Sequence, residues 1–362
     1  MAYPHPLQEE RRCAVRYLKA LLLLMLLLTA SCHRRPLFDP EDTAMLKVRL
    51  VTEGIHNVTC DIYNPNIEVT PITSEMLRVL IYDQSGDQVL SQGFISHKSI
   101  DSDGYELFST PLALSKGYYK LLSYNFDLDY TKVNNEGRYN TIEATTQVVP
   151  QYYYSRFGSR AEGVGTIYYS PEHLMVARAP ELEIKEHQGT KSIELDAYTI
   201  VDTYYIQIKI TGAKNMAQNA KCQAMLTGVS ASNCFGPNIR DKHTPAALYF
   251  EMQRSVDPNT REGENEDVLC AVFNTFGKIP EAHSDLTITL SILTRDGKTH
   301  QKVIDMEPIF DTDNARERHW LLIEEEWDIP EPIAPEGGGG GFAPDVEDWG
   351  DVEETIPIGP RL

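Results

Sequence analysis

The stretch Tyr204-Tyr205-Ile206-Gln207-Ile208-Lys209-Ile210-Thr211 decides the fold class. Tyr204, Ile206, Ile208 and Ile210 recur at every second position. A period of two lines up one face of an extended strand and turns Gln207 and Lys209 the other way. A helix would instead require apolar residues three and four positions apart. The alternation returns along the chain. Leu46, Val48 and Leu50 alternate with Lys47 and Arg49, while Leu286, Ile288, Leu290 and Ile292 alternate with Thr287, Thr289 and Ser291. Leu77, Val79 and Ile81 alternate with Arg78 and Tyr82, and Leu80 breaks the pattern.

Turn signals separate these runs. Asp83-Gln84-Ser85-Gly86 divides a strand at 77–82 from one near 88–95, and Asp296-Gly297 predicts a hairpin between 286–294 and 299–305. Asp103-Gly104 and Lys116-Gly117 punctuate two Tyr-rich strands, 105–109 and 118–126. The best helix start is Ser170-Pro171-Glu172, where Ser suits the cap and Pro the first turn. About seven short strands per half predict an all-β protein with two tandem antiparallel β-sandwich domains. Their expected limits are 44–177 and 178–330, with Ala179-Pro180 as the seam.

The N-terminus reads as an address. Residues 20–32 carry no charge and open on a Leu-rich run, but they are too few for a spanning helix, which needs about 20 residues. Behind Arg16 and Lys19 they form the apolar region of a secretory signal covering 1–31. Leu28-Thr29-Ala30-Ser31-Cys32 resembles a bacterial lipobox, with cleavage between Ser31 and Cys32. Cys32 would then carry diacylglyceryl and an N-acyl chain such as palmitate, enough acyl chain to hold the protein on the outer membrane. Residues 32–43 would form a linker to the first strand. Export also permits disulfides among Cys60, Cys222, Cys234 and Cys270, and three pairings are open.

Charge is concentrated at one end. The 362 residues hold 53 Asp and Glu against 33 Lys and Arg, a net charge of −20. Residues 324–362 alone contain twelve acidic residues and only Arg361, a net of −11. An acidic surface repels phosphate and argues against nucleic acid as a partner. From 331 onward the texture turns Pro- and Gly-rich, with five consecutive glycines at 337–341, and the acidic segment that follows is expected to remain an unfolded tail. Phe342, Trp349, Val352, Ile356 and Ile358 stand out in it as a candidate donor strand.

No constellation points to catalysis. The ten His residues are scattered without HExxH spacing, there is no CxxC and no G-x-S-x-G, and neither a metal nor a cofactor is expected. Asp101-Ser102-Asp103-Gly104 matches only the opening of a calcium loop. The 19 tyrosines are more suggestive. Strand preference accounts for much of Tyr168-Tyr169 and Tyr204-Tyr205, but Tyr152-Tyr153-Tyr154 follows Pro150 in an expected loop. These three are the candidate contact for a glycan or a host protein, since exposed Tyr offers flat amphipathic area.

Three stretches together carry a resemblance: Cys32-His33-Arg34-Arg35-Pro36, the pair SEMLRVLIYDQSGD and TPLALSKGYYKLLSYNFD (74–87 and 110–127), and the C-terminal EEEWDIPEPIAPEGGGGGFAPDVEDWGDVEETIPI. In that order they resemble the Bacteroidales fimbrillin-related lipoproteins, most closely a subgroup carrying a domain of unknown function. The resemblance implies two transthyretin-like sandwiches and a non-catalytic role as fimbrial subunit, anchor or adhesin. Shaft proteins of that family polymerise by donating a strand to a neighbour's groove, a form of β-augmentation. Two departures bear on the role. His33, Arg34 and Arg35 replace the acidic residues that often follow the lipidated Cys in surface lipoproteins, which leaves either membrane face open. Near the first strand only Arg49 offers itself to a maturation protease, so a retained, lipid-anchored component fits better than a processed shaft subunit. A glycan- or nutrient-binding lipoprotein serving an outer-membrane transporter is the alternative.

Overall fold

The computed structural model describes residues 43–52, 72–185, 191–218, 220–240, 244–256, 267–279 and 285–332. Ser31, Cys32, Cys60 and the candidate donor residues Phe342, Trp349, Val352, Ile356 and Ile358 lie outside these. The described chain is built from strands. The first sheet begins with β1 (Thr43–Leu50), β2 (Leu77–Asp83), β3 (Val89–Ile95), β4 (Lys98–Ile100), β5 (Glu106–Ala113) and β6 (Gly117–Asn125). The chain then leaves it for β7 (Thr131–Asn134), β8 (Glu143–Thr146) and β9 (Ile167–Tyr169), and returns with β10 (Met175–Ile184) and β11 (Lys191–Thr199). Strand order across this sheet is β3-β2-β6-β10-β11-β1-β5-β4. It curls around Leu46, Val48, Leu50, Phe108, Leu121 and Met175, all withdrawn from water.

The second sheet takes β12 (Asp202–Thr211), β13 (Cys222–Ser230), β16 (Pro245–Val256), β17 (Asp267–Thr275), β18 (Thr287–Leu293), β19 (Thr299–Asp305) and β20 (Trp320–Asp328). Its order is β19-β18-β13-β16-β17-β12-β20, and β9 pairs with β16 beside that path. The two edge strands approach each other: Lys302 Nζ donates to the Glu326 carbonyl at 3.1 Å and meets Glu325 at 3.4 Å. Between β13 and β16 the chain forms β14 (Ser232–Cys234) and β15 (Ile239–Arg240). These join β7 and β8 in a third sheet, ordered β15-β14-β8-β7, so each half of the chain contributes two strands to it.

Both expected hairpins form, β2 with β3 and β18 with β19. Antiparallel pairing dominates as expected, but β1 with β11, β12 with β20 and β16 with β9 run parallel. Parallel neighbours require a long return path, and the whole first body lies between β1 and β11.

Two sequence signals carry a different meaning in the fold. Ala179-Pro180 is no seam: it lies inside β10, whose register against β6 shifts between Ala179 and Leu182. Proline lacks the N–H that a ladder needs, so it sits where a bulge has already interrupted the ladder. The passage between sheets comes later, at the buried Ile200-Val201. Ser170-Pro171-Glu172 starts no helix. The Ser170 hydroxyl and backbone instead strap the halves together, with Oγ accepting from the Asn274 N–H at 2.7 Å and the Pro171 carbonyl accepting from Asn274 Nδ2 at 2.8 Å.

Leu80 breaks the period of β2 for a physical reason. Leu77, Val79 and Ile81 face the first core, while Leu80 and Tyr82 face a second one made with Leu122, Tyr124, Ile142, Ile200, Phe235 and Phe276. β2 is covered on both faces, and a doubly covered strand loses its alternation. Glu136 ties this junction down at the β7–β8 turn. Its carboxylate accepts from Arg78 Nη2 at 2.8 Å and from the Tyr124 hydroxyl, and the Tyr82 hydroxyl donates to its carbonyl at 2.8 Å. Burial pushes the Glu136 carboxyl up, but the Arg78 and Tyr124 donors outweigh it and the net shift is downward. Gly236 sits where any Cβ would collide with the Tyr139 carbonyl, so the halves close on each other only with glycine at that position.

Candidate functional site: a tyrosine surface beside a locked first strand

A 3₁₀ turn over Gln151–Phe157 carries the tyrosine triplet, and its ends explain its shape. Val149 and Phe157 are buried with Ile167, Met225, Ala247 and Tyr249 in a small core of their own. With both ends pinned, the middle of the turn bulges into solvent. Tyr152 is 68% exposed and Tyr153 39%, their rings 4.0 Å apart and 32° from parallel. Tyr154 turns inward and packs on the small core. The triplet thus divides two to one.

Two further rings, Tyr169 and Tyr130, extend the surface, and the buried Tyr249 backs it from the small core. Tyr153 meets Tyr169 edge-on at 6.4 Å and Tyr249 at 6.5 Å, and Tyr169 lies 4.8 Å from Tyr130, tilted by 33°. Tyr130 is 44% exposed. Glu172 holds it in place, its carboxylate accepting the N–H groups of Asp129, Tyr130 and Thr131 at 3.1, 2.7 and 3.0 Å. Gln223 Nε2 donates to the Tyr153 carbonyl at 2.8 Å, and Gln301 Nε2 to the Arg156 carbonyl at 2.6 Å, which fixes the turn on the second sheet. The surface therefore draws on a loop of the first half, β9, the turn and β16.

Three of these phenols are held further from ionisation than a free tyrosine. A hydrogen bond with Tyr153 pushes Tyr152 up to about 12, burial and the neighbouring rings push Tyr169 up, and burial followed by Glu251 does the same for Tyr249. Phenol rings offer π-faces and hydroxyl rims. Such an array can stack on the C–H face of a sugar ring or on apolar protein surface.

The Pro150 context marks Tyr152, Tyr153 and Tyr154 alike in the sequence, and the fold turns Tyr154 inward. The doublet Tyr168-Tyr169 carries no signal that separates its members, yet Tyr168 packs on the large core and Tyr169 joins the surface. Tyr130 and Tyr249 had no local signal, because only the meeting of distant segments brings them together.

On the first sheet, β1 is gripped from both sides. It pairs in parallel with β11 and antiparallel with β5, and Leu46, Val48 and Leu50 are buried. Its outward side chains are also engaged. Arg49 donates to both Asp196 oxygens, Nε at 2.8 Å and Nη2 at 3.0 Å, and Lys47 bonds Glu194 at 2.8 Å. The Arg49 hydrogen bond and charge hold the Asp196 carboxyl below its ordinary range. The Asp101–Gly104 stretch is a turn, with Asp101 Oδ1 accepting from the Asp103 and Tyr105 N–H groups at 2.9 Å each. Asp101 and Asp103 also face Arg49, at 3.9 and 3.4 Å, so their charge is met from within the protein. Among the described residues no group of three His, Cys, Asp or Glu gathers in metal-binding geometry. Cys222 and Cys234 are not joined: their Sγ atoms donate to the Gln223 and Asn140 carbonyls, and burial pushes the Cys222 thiol up to about 12.

The profile of DUF5119, a domain of unknown function, matches residues 49–251. The chain belongs to this family. The DUF5119 match runs from β1 through the junction and the tyrosine surface into β16. A Bacteroides ovatus protein named as the fimbrium anchoring subunit Fim4B is 23% identical over 373 residues, covering 95% of this chain and 98% of that protein. A crystal structure from Bacteroides ovatus, described as an adhesin, is 18% identical with a TM-score of 0.51 over 84% of this chain and 99% of that one. This DUF5119 chain therefore shares that fold across nearly the whole of the solved chain.

Proposed function

We propose that this protein is a non-catalytic component of a bacterial fimbrium, held at the outer membrane through lipid on Cys32 and acting as anchor or adhesin. The observation that carries the reading is the state of β1. A shaft subunit that takes a neighbour's strand must open a groove, whereas β1 here is buried, paired on both edges and ionically closed. A retained first strand suits a protein that ends a polymer. Segment 33–42 would span at most about 36 Å, keeping the folded body close to the bilayer. End-to-end similarity to the Fim4B protein supports the same role. Mechanical shearing of fimbriae tests it: the protein should stay with the membrane while co-purifying with fimbrial subunits after mild cross-linking. Absence from cross-linked fimbriae defeats the reading. Replacing Cys32 with Ala should release the protein from membranes and from acyl-chain labelling, and protease shaving of whole cells reads which face it occupies.

The tyrosine surface favours a second activity, recognition of glycan or of a host protein, within the adhesin side of this role. The rings of Tyr130, Tyr152 and Tyr153 stand exposed beside one another, with Tyr169 linking them. A glycan array probed with the full mature chain should give hits that Tyr152→Ala removes. An array without hits leaves protein contact as the use of this face.

A further inference from the structure

The second body carries a pocket of about 890 Å³ at the end where the chain leaves β20. Its apolar lining includes Ala213, Met216 and Met252, all buried, and its cations are Lys221, Arg254 and Arg295. Among the described residues no carboxylate lines it, on a protein of net charge −20. Among the described residues Lys221 pairs with Glu251 and Arg254 with Asp267. Arg295 gives only Nε, to the Met216 carbonyl at 3.4 Å, and its terminal nitrogens have no partner among the described residues. A cation-lined, apolar-floored pocket fits an acidic peptide that carries an aromatic anchor.

Such a peptide leaves the body beside the pocket. Ile329 N–H bonds the Thr211 carbonyl and Asn215 Nδ2 bonds the Ile329 carbonyl at 2.9 Å, which sets the exit against the pocket wall at Ala213 and Met216. Beyond the last described residue, Pro332, come the five glycines at 337–341 and then 342–358, FAPDVEDWGDVEETIPI, with six carboxylates and no cation. A seventeen-residue path from Pro332 to Trp349 has a coil dimension of roughly 23 Å, enough to fold back. Tethering at that range supplies an effective concentration of about a millimolar, so even a weak intrinsic contact is populated.

We propose that segment 342–358 docks on its own chain in this pocket, with Trp349 on the Met216–Met252 floor and Asp345, Glu347, Asp348 and Asp351 around Arg295 and Lys221. The docking shields the apolar residues of the segment and neutralises the pocket. It goes beyond the anchoring role and stands or falls separately from it.

A photo-crosslinking amino acid in place of Trp349, in the full mature chain at low concentration, tests the docking. After irradiation, mass spectrometry should place the adduct within residues 213–221, 252–254 or at 295 of the same molecule. Arg295→Glu should lower the yield by about fivefold, as should raising salt to about 0.5 M, where exposed charges are screened. The combination Asp345→Asn, Glu347→Gln, Asp348→Asn and Asp351→Asn should do the same while leaving the melting temperature unchanged, which separates loss of docking from loss of fold. Adducts elsewhere on the body, adducts to another chain, or yields indifferent to both charge changes overturn the proposal.

Discussion

The first strand and the tyrosine turn obey opposite rules of exposure. β1 alternates strictly, and its outward residues Lys47 and Arg49 are taken up by Glu194 and Asp196 opposite them on β11. Tyr152 and Tyr153 sit on a turn pinned at both ends, and their rings meet one another and further tyrosines. One region uses its surface chemistry internally, and the other leaves it outward. A side chain in register with an opposite charge is committed to the fold, whereas a side chain raised on a pinned turn remains available to a partner.

The contrast can be broken most sharply in the first core. Leu46→Asp places a carboxylate where water is excluded and should cost about 4 kcal/mol or more, read as loss of the soluble folded body in urea unfolding. If β1 were dispensable, the variant would unfold like the parent.

The junction comes next. Glu136→Gln keeps the shape but removes the charge facing Arg78 and Tyr124, and should cost about 1.5 kcal/mol near neutral pH. The folded Glu136 carboxyl lies below its ordinary value, so its stabilisation is complete above the unfolded value of roughly 4.3 and fades as pH falls through the folded one. Parent and variant should therefore converge in acid. A gap that persists at low pH would assign the loss to packing.

A smaller effect is expected from Arg49→Met. It removes a half-exposed fork to Asp196 while retaining the stem, so the stability loss should be modest and should vanish in high salt. A large, salt-independent loss would show that the ionic closure of β1 outweighs its buried face. Tyr152→Ala should be the mildest for the fold, with the melting temperature unchanged, yet capture of a glycan or protein partner should fall by about tenfold. If binding survives and stability falls, the turn belongs to the fold after all.

Strand periodicity was legible wherever one face of a strand met water. Leu46, Val48 and Leu50 follow it, and both predicted hairpins have their turns where Asp-Gly and Ser-Gly stand. It failed where a second layer arrived from far along the chain. Leu80 is buried against Ile200, Phe235 and Phe276, more than a hundred residues away, and no local pattern encodes that layer. Proline misled for a related reason: Pro180 signals an interrupted ladder, and a bulge interrupts it as well as a domain boundary does.

By itself, therefore, the sequence determined an all-β chain with an uncharged Leu-rich stretch near its start and an acidic, glycine-led stretch near its end, because periodicity and composition are local properties. The tertiary structure alone decided that the two halves share a core and a sheet, that two of three adjacent tyrosines face outward to join Tyr130 and Tyr169 above the buried Tyr249, and that cations collect where the chain exits. Each of these depends on which distant surfaces exclude water from one another, and burial is a property of the assembled layers rather than of any one segment.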